Sequence, residues 1–413
     1  MAALTHRLIR FVSLTKVDNC DVFGHNRPQF KKMEKRLNMT KLQEAAESKG
    51  LNQSGIAKGL GVTRASVSKW WKGKSFPRPA ELLALGRLLK LRHDELVERL
   101  VPKDQPLVAF RKRASCKTTE EHIARAQNMG RFLKPLAGYL SVDEFLGPPS
   151  LKSPSCDYRY LQDLAARIRR EADIAETAPF DFKSLIQLFQ KYQAVIIPTL
   201  WGHKTKHENA LHIHLPESRT TWIYLNLDVE IHDFKFWMAH ELGHVLTVDL
   251  LREGKDQEAE DFADAFAGAL LFPAPLAEAA LADYERAKTD QGRLKVLEKW
   301  AKEHTISPNS VYLEIEKRAR ETKGSFVTIE SKTLFPAIAA FNKGYKTLST
   351  ELFDGTQPTA DHFMRVAQES FGTEVYGVLG KYVREKEAGP GVIATILDVS
   401  PMDARAYLEA LSN

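Results

Sequence analysis

The stretch Phe236-Trp237-Met238-Ala239-His240-Glu241-Leu242-Gly243-His244 decides how the middle of this chain folds. Trp237, Met238, Leu242, Val245 and Leu246 supply the apolar flanks of a buried helix. On that helix His240 and His244 stand four residues apart on one face, where two imidazoles take adjacent corners of a zinc tetrahedron. An HExxH pentapeptide alone arises by chance too readily, so its surroundings must carry the assignment.

Catalytic zinc needs a third protein ligand and an open position for water. Downstream lies Glu260-Asp261-Phe262-Ala263-Asp264, in a helix expected to end near Pro273. Glu260 and Asp264 share a face, so Glu260 can bind the metal while Asp264 accepts a hydrogen bond from a ligand histidine. That second contact fixes the ring and raises its basicity. Glu258 and Asp261 compete for the ligand role, but neither has such a partner four residues on. Glu241 is then the general base. It takes a proton from water whose pKa the zinc lowers to about 7, then passes it to the leaving amine. A structural metal site or a retired enzyme would need neither Glu241 nor a vacant position.

The HExxH followed by ExxAD resembles the gluzincin arrangement of metallopeptidases. The similarity extends through Ala263-Asp264-Ala265-Phe266-Ala267-Gly268-Ala269-Leu270-Leu271-Phe272-Pro273. Together these stretches look like the ImmA/IrrE family, whose pattern is close to F-x-x-A-H-E-x-G-H and then E-x-x-A-N-x-F-A-A-x-L-L-M-P. Asp264 stands where the family usually has Asn, and Phe272 where it has Met; Asp is the better hydrogen-bond acceptor. The resemblance covers about Tyr160 to Arg320, and Trp222-Ile223-Tyr224-Leu225-Asn226 matches a family strand ending in Asn. It implies one Zn2+ per chain and a substrate class of DNA-binding repressors, whose cleavage derepresses stress, phage or mobile-element genes.

A second module lies nearer the N-terminus. Between Lys31 and Arg78 twelve Lys/Arg face three Glu, a local excess of nine positive charges in a chain of net charge +6. The remainder is therefore net acidic, and an anionic partner belongs to this segment alone. Ile56, Ala57 and Leu60 form the inner face of a first helix, Gly61 permits a sharp turn, and Thr63 caps a second helix whose Val67 and Trp70 pack back. The run from Leu51 to Lys74 resembles the Cro/CI helix-turn-helix family, which implies double-stranded DNA as partner and a homodimer on paired half-sites. Arg64, Ala65, Ser66 and Lys69 are the expected recognition residues. Gln53, Lys72 and Lys74 match positions that hold the DNA backbone. A helical hairpin used only for protein contact is the plainer alternative, and the local charge favours DNA.

The expected architecture is mainly α with a small β-sheet, an α+β chain of several domains. Its expected divisions are an arm (1–37), the helix-turn-helix domain (38–100), a helical linker (101–156), the protease domain (157–322) and a helical C-terminal domain (323–413) of no assigned role. Strands are expected over Ala194–Pro198, Leu211–Leu215 and Thr221–Leu227, with a hairpin loop between the last two. His212 and His214 alternate on one strand face; edge-strand side chains beside a cleft are the expected reading over a metal pair. His203, His207 and His232 read as solvated. Tyr224, His212 and Tyr312 are unranked candidates for stabilising an oxyanion. The pattern Ile393 to Pro401 echoes a helix-turn-helix but lacks a basic face, so packing is expected there.

Hydrophobic residues at 43% and charged at 27% describe a globular chain, not a disordered or fibrous one. No apolar run reaches spanning length: Ala265–Ala282 is broken by Pro273, Pro275 and Glu278. Three cysteines, Cys20, Cys116 and Cys156, exclude a disulfide framework and fit a reducing cytoplasm. The expected function is a zinc endopeptidase and transcriptional regulator. The competing class is a DNA-binding repressor whose metal domain senses zinc or a ligand without cutting anything.

Overall fold

The computed structural model describes residues 34–100, 105–111, 120–141, 150–202 and 209–412. Most of the expected arm, Cys20, Cys116, the Gly147-Pro148-Pro149 stretch, His203 and His207 lie outside them.

The N-terminal module runs β1 (Glu34–Leu37), α1 (Met39–Ser48), α2 (Gln53–Leu60), α3 (Arg64–Trp71), α4 (Pro79–Leu89), α5 (His93–Leu96) and β2 (Val97–Leu100). Its core is its own, built on Leu42, Ile56, Val67, Trp70, Leu85 and Leu89. Asn52 accepts from the Gly55 N–H at 2.9 Å and starts α2. Gly61 ends that helix in the left-handed region at φ 65°, and Thr63 accepts from the Ser66 N–H at 3.1 Å to start α3. One expectation is corrected: residues 34–37 are not arm but a strand antiparallel to β2, with Glu34 opposite Leu100. Their charged sequence carries no strand alternation, so only the partner strand reveals them.

The second body begins with β3 (Leu107–Arg111), α6 (Glu120–Leu133) and a 3-10 turn at Lys134–Tyr139. It continues with α7 (Tyr158–Glu171), α8 (Phe182–Lys191), β4 (Ala194–Thr199), β5 (Ala210–Leu215) and β6 (Thr220–Asn226). Then come α9 (Ile231–Leu246), α10 (Val248–Arg252), α11 (Asp256–Leu271), α12 (Ala274–Arg286), α13 (Asp290–His304) and α14 (Pro308–Lys323). The chain closes with α15 (Ser331–Asn342), α16 (Leu348–Phe353), α17 (Ala360–Phe371), α18 (Val375–Lys386), α19 (Pro390–Leu397) and α20 (Pro401–Ser412).

The sheet order is β3-β5-β6-β4, with β4 parallel to β6 and the other pairs antiparallel. The segment expected as a helical linker thus contributes an edge strand, and β5 is interior rather than an edge. That is why His212 and His214 are buried. The C-terminal helices share one core with residues 157–322, from Ala126 and Met129 through Phe234 to Leu411. Tyr224 donates from β6 to the Ile396 carbonyl at 2.7 Å, and the Tyr139 hydroxyl meets Glu385 at 2.8 Å. Packing therefore shows no break at the boundary expected near residue 322. Among the described residues no single helix is long and apolar enough to cross a membrane; α11 and α12 approach that composition only as a pair bent by 73°.

Two buried polar side chains of this body show how burial is offset and what it does to titration. The Arg169 guanidinium, wholly buried, donates to the carbonyls of Leu270 at 2.8 Å and Ala175 at 2.7 Å, fixing the last turn of α11 against α7. Burial pushes its pKa down to about 10. His214 sits on β5 with its Nδ1 3.0 Å from the Thr221 hydroxyl. Burial first, then repulsion from Arg252, pushes its imidazole down to about 4, with Asp249 opposing. An unfolded histidine titrates near ~6.5, so neutral His214 contributes stability above that pH. The contribution is lost as pH falls from about 6.5 towards 4, by about 2–3 kcal/mol near pH 4.5. Chemical denaturation at pH 7 and 4.5 should therefore show a smaller acid loss for His214→Gln than for the unaltered chain; equal losses would contradict the burial argument.

Candidate metal centre

Helix α9 is buried nearly all round, and His240, Glu241 and His244 have no solvent exposure. Helix α11 crosses it at a contact only small residues allow. A Cβ on Gly243 would fall 2.8 Å from the Ala263 Cα and 3.1 Å from its Cβ, so neither helix tolerates bulk at the crossing. Glu260 lies almost one turn before Ala263, so the same crossing lays its carboxylate against both imidazoles.

The ligand atoms of His240, His244 and Glu260 lie within 4.8 Å of one another. His240 Nε2 and His244 Nε2 are 3.0 Å apart. Glu260 places one oxygen 3.4 Å from the first and the other 3.3 Å from the second. His240 Nδ1 meets Asp264 Oδ1 at 3.0 Å. A proton on Nδ1 donated to that carboxylate leaves the Nε2 lone pair facing His244, which is how a metal-binding imidazole is held. Two buried nitrogens with converging lone pairs and a carboxylate across them fit a divalent cation of the zinc type.

Burial works against charge on His240, but bonds to Asp264 and Glu260 outweigh it and raise its pKa to about 9, so a cation must displace the Nε2 proton to use that lone pair. Burial alone would likewise raise Glu260; hydrogen bonds with His240 and His244 instead hold it far below the usual carboxylate range. The rivals for its place point elsewhere: Glu258 is exposed, and Asp261 is exposed and accepts from Gln257 at 2.7 Å.

Of the three unranked candidates, two are engaged with other groups. The Tyr224 hydroxyl is committed to Ile396, and the Tyr312 ring packs with Tyr284 and Phe326. His212 does lie beside the centre. Its Nδ1 is 3.7 Å from a Glu241 oxygen, its ring centroid 5.7 Å from that of His244, and neither ring nitrogen has a hydrogen-bond partner. Burial, reinforced by His244, holds its pKa well below the usual value. The alternation in Ala210-Leu211-His212-Ile213-His214-Leu215 marks one strand face; it does not say that the face meets α9. His232, expected in solvent, is buried and stacks on Tyr345 at 4.7 Å between centroids.

In the N-terminal module Arg64, Ala65, Lys69, Lys72 and Lys74 are exposed on α3 and the turn after it, while Gln53 and Ser66 are half-buried. The Ser66 hydroxyl lies 2.9 Å from the Thr63 hydroxyl and so serves the helix start.

A histidine pair on one helix, a carboxylate from the next and a mixed sheet beneath them define a metallopeptidase-like domain, and the separate N-terminal module is a helix-turn-helix. Residues 198–316 match the family model for the IrrE N-terminal-like domain, a peptidase family, and residues 42–96 match the helix-turn-helix model. The chain thus carries a region similar to helix-turn-helix modules and, further on, a region similar to the IrrE N-terminal-like domain. Peptidases of that family typically depend on a metal ion. No curated protein matches the chain.

Removing the Asp264 carboxylate tests how the centre is held. Asp264→Ala should weaken zinc affinity by about 10- to 100-fold, and Asp264→Asn, which keeps an acceptor, by less. Competition against a chromogenic chelator reads both; equal affinity in all three proteins would show that Asp264 does not orient the ring.

Proposed function

We propose that this chain is a zinc endopeptidase carried on a DNA-binding module, and that it cuts a DNA-binding repressor to derepress stress, phage or mobile-element genes. The observation that supports this most is the approach of His240 Nε2, His244 Nε2 and the Glu260 carboxylate, with Glu241 buried next to them. His240, His244 and Glu260 would hold the zinc, which when bound supplies a Lewis acid that polarises a peptide carbonyl and acidifies water.

Glu241 receives the proton of the attacking water and returns it to the leaving amine. Its place on the turn between His240 and His244 keeps it within reach of whatever they hold. Asp264 keeps His240 oriented. The helix-turn-helix concentrates the protein at promoters, where repressors are found, and raises the effective concentration of substrate. A soluble regulator of the cytoplasm and a homodimer on paired half-sites accord with this reading.

The direct test combines metal analysis with cleavage. Zinc-loaded protein is incubated with a helix-turn-helix repressor encoded beside it, and products are identified by mass spectrometry. A single internal cut that needs zinc supports the reading. Zinc-responsive operator binding with no cleaved product would favour a sensor.

The DNA half has its own test. Lys72→Ala should weaken binding to all duplexes alike and flatten the log–log salt dependence by about one. Arg64→Ala should instead cost about 1–3 kcal/mol at the cognate site and relax base preference. Affinity for duplex DNA that ignores salt would mean the module recognises protein.

A further inference from the structure

The edge of β5 next to Glu241 is occupied by the chain itself. Strand β3 pairs antiparallel to β5 with Ala109 opposite His212 and Leu107 opposite His214. His212 is the residue whose ring reaches Glu241. Leu107 and Ala109, on that same face, pack with Val248, Leu250, Leu251 and Ala259 in an apolar group separate from the main core. Ala259 precedes Glu260. β3 therefore fills the channel between the β5 edge and the start of α11, one strand away from the candidate general base.

A sheet edge beside a reactive centre is the natural dock for an extended peptide, because the unpaired backbone groups supply the bonds and alternate side chains supply selectivity. We propose that β3 is an internal stand-in for substrate, that a substrate segment reaches the metal centre by replacing β3 on β5, and that the chain is held latent until it does. This rests on the peptidase reading of the same site. The occupant's chemistry can be read from β3: an extended segment with a large aliphatic side chain and, two residues on, a small one facing His212. Leu107 and Ala109 pack apart from the main core, so the exchange gives up that small group and the contacts of Val108 with the main core.

The test uses full-length Glu241→Gln protein, so that binding is read without hydrolysis. The probe is a fluorescein-labelled peptide of residues 104–113, followed by anisotropy, with amide exchange over residues 210–215 as the second readout. Val108 and Ile213 are directly opposite one another, on the face away from Glu241. Val108→Cys with Ile213→Cys, in a chain whose three native cysteines are replaced by Ser, ties β3 down when oxidised. The locked form should bind the peptide at least about ten-fold more weakly than the same protein after reduction. Val108→Pro, which disrupts the strand, should bind it about ten-fold more tightly than the unaltered strand does, with protection of residues 210–215 restored by the peptide. Should Val108→Pro misfold, the reversible lock decides alone. Equal binding by locked and reduced protein would place the peptide on the outer edge of β3 or elsewhere and overturn the proposal. Peptide exchange on β5 without cleavage of any repressor would instead count against the peptidase reading, so the two failures are distinguishable.

Discussion

If the proposed zinc peptidase is right, Glu241→Gln should reduce peptide hydrolysis by about 1,000-fold, within the range that general-base catalysis supplies, with zinc binding unchanged. Such a loss corresponds to about 4 kcal/mol of transition-state stabilisation. The amide is nearly the size of the carboxylate and so preserves the packing of a side chain with no solvent exposure, but it cannot accept and return a proton. His240, His244 and Glu260 are untouched, so zinc stoichiometry should match the unaltered chain. Single-turnover cleavage and metal analysis on the same preparations separate the outcomes. Undiminished cleavage would remove Glu241 from its role, and loss of zinc would make it a structural part of the centre instead.

The next largest effect should come from emptying the centre. An ion present at about a thousand times its dissociation constant adds about 4 kcal/mol of stability. Stripping it with a chelator should therefore lower the melting temperature by about 8 °C in a body of this size. Two wholly buried imidazole nitrogens lie 3.0 Å apart, close enough to share one cation. Excess zinc should restore the transition. His244→Ala should already melt near the stripped value, lack zinc, and ignore the chelator. A variant that still responds to chelator would show that the stabilising ion sits elsewhere.

Much of this centre was legible along the chain because its parts follow helical spacing. His240 and His244 are one turn apart, as are Glu260 and Asp264, and four-residue periodicity puts each pair on one face whatever the tertiary fold. The helix-turn-helix was legible for the same reason: Asn52, Gly61 and Thr63 act on their immediate neighbours. His212 was legible only as one of three unranked candidates, because strand alternation says which residues share a face but not what that face meets. β3 was hidden for a related reason, as five residues amid charged sequence become a strand only when β5 offers them a partner.

The amino-acid order by itself determined the local elements: caps, helix faces, the two pairs of metal-site side chains, and the concentration of positive charge on the N-terminal module. Tertiary structure alone decided that Gly243 and Ala263 meet, which brings Glu260 to the histidines, and that residues 107–111 close the sheet beside Glu241. The difference is one of range: a helix satisfies its hydrogen bonds within a few residues, whereas a helix crossing or a strand pair draws its partners from distant sequence, where no local pattern records the match.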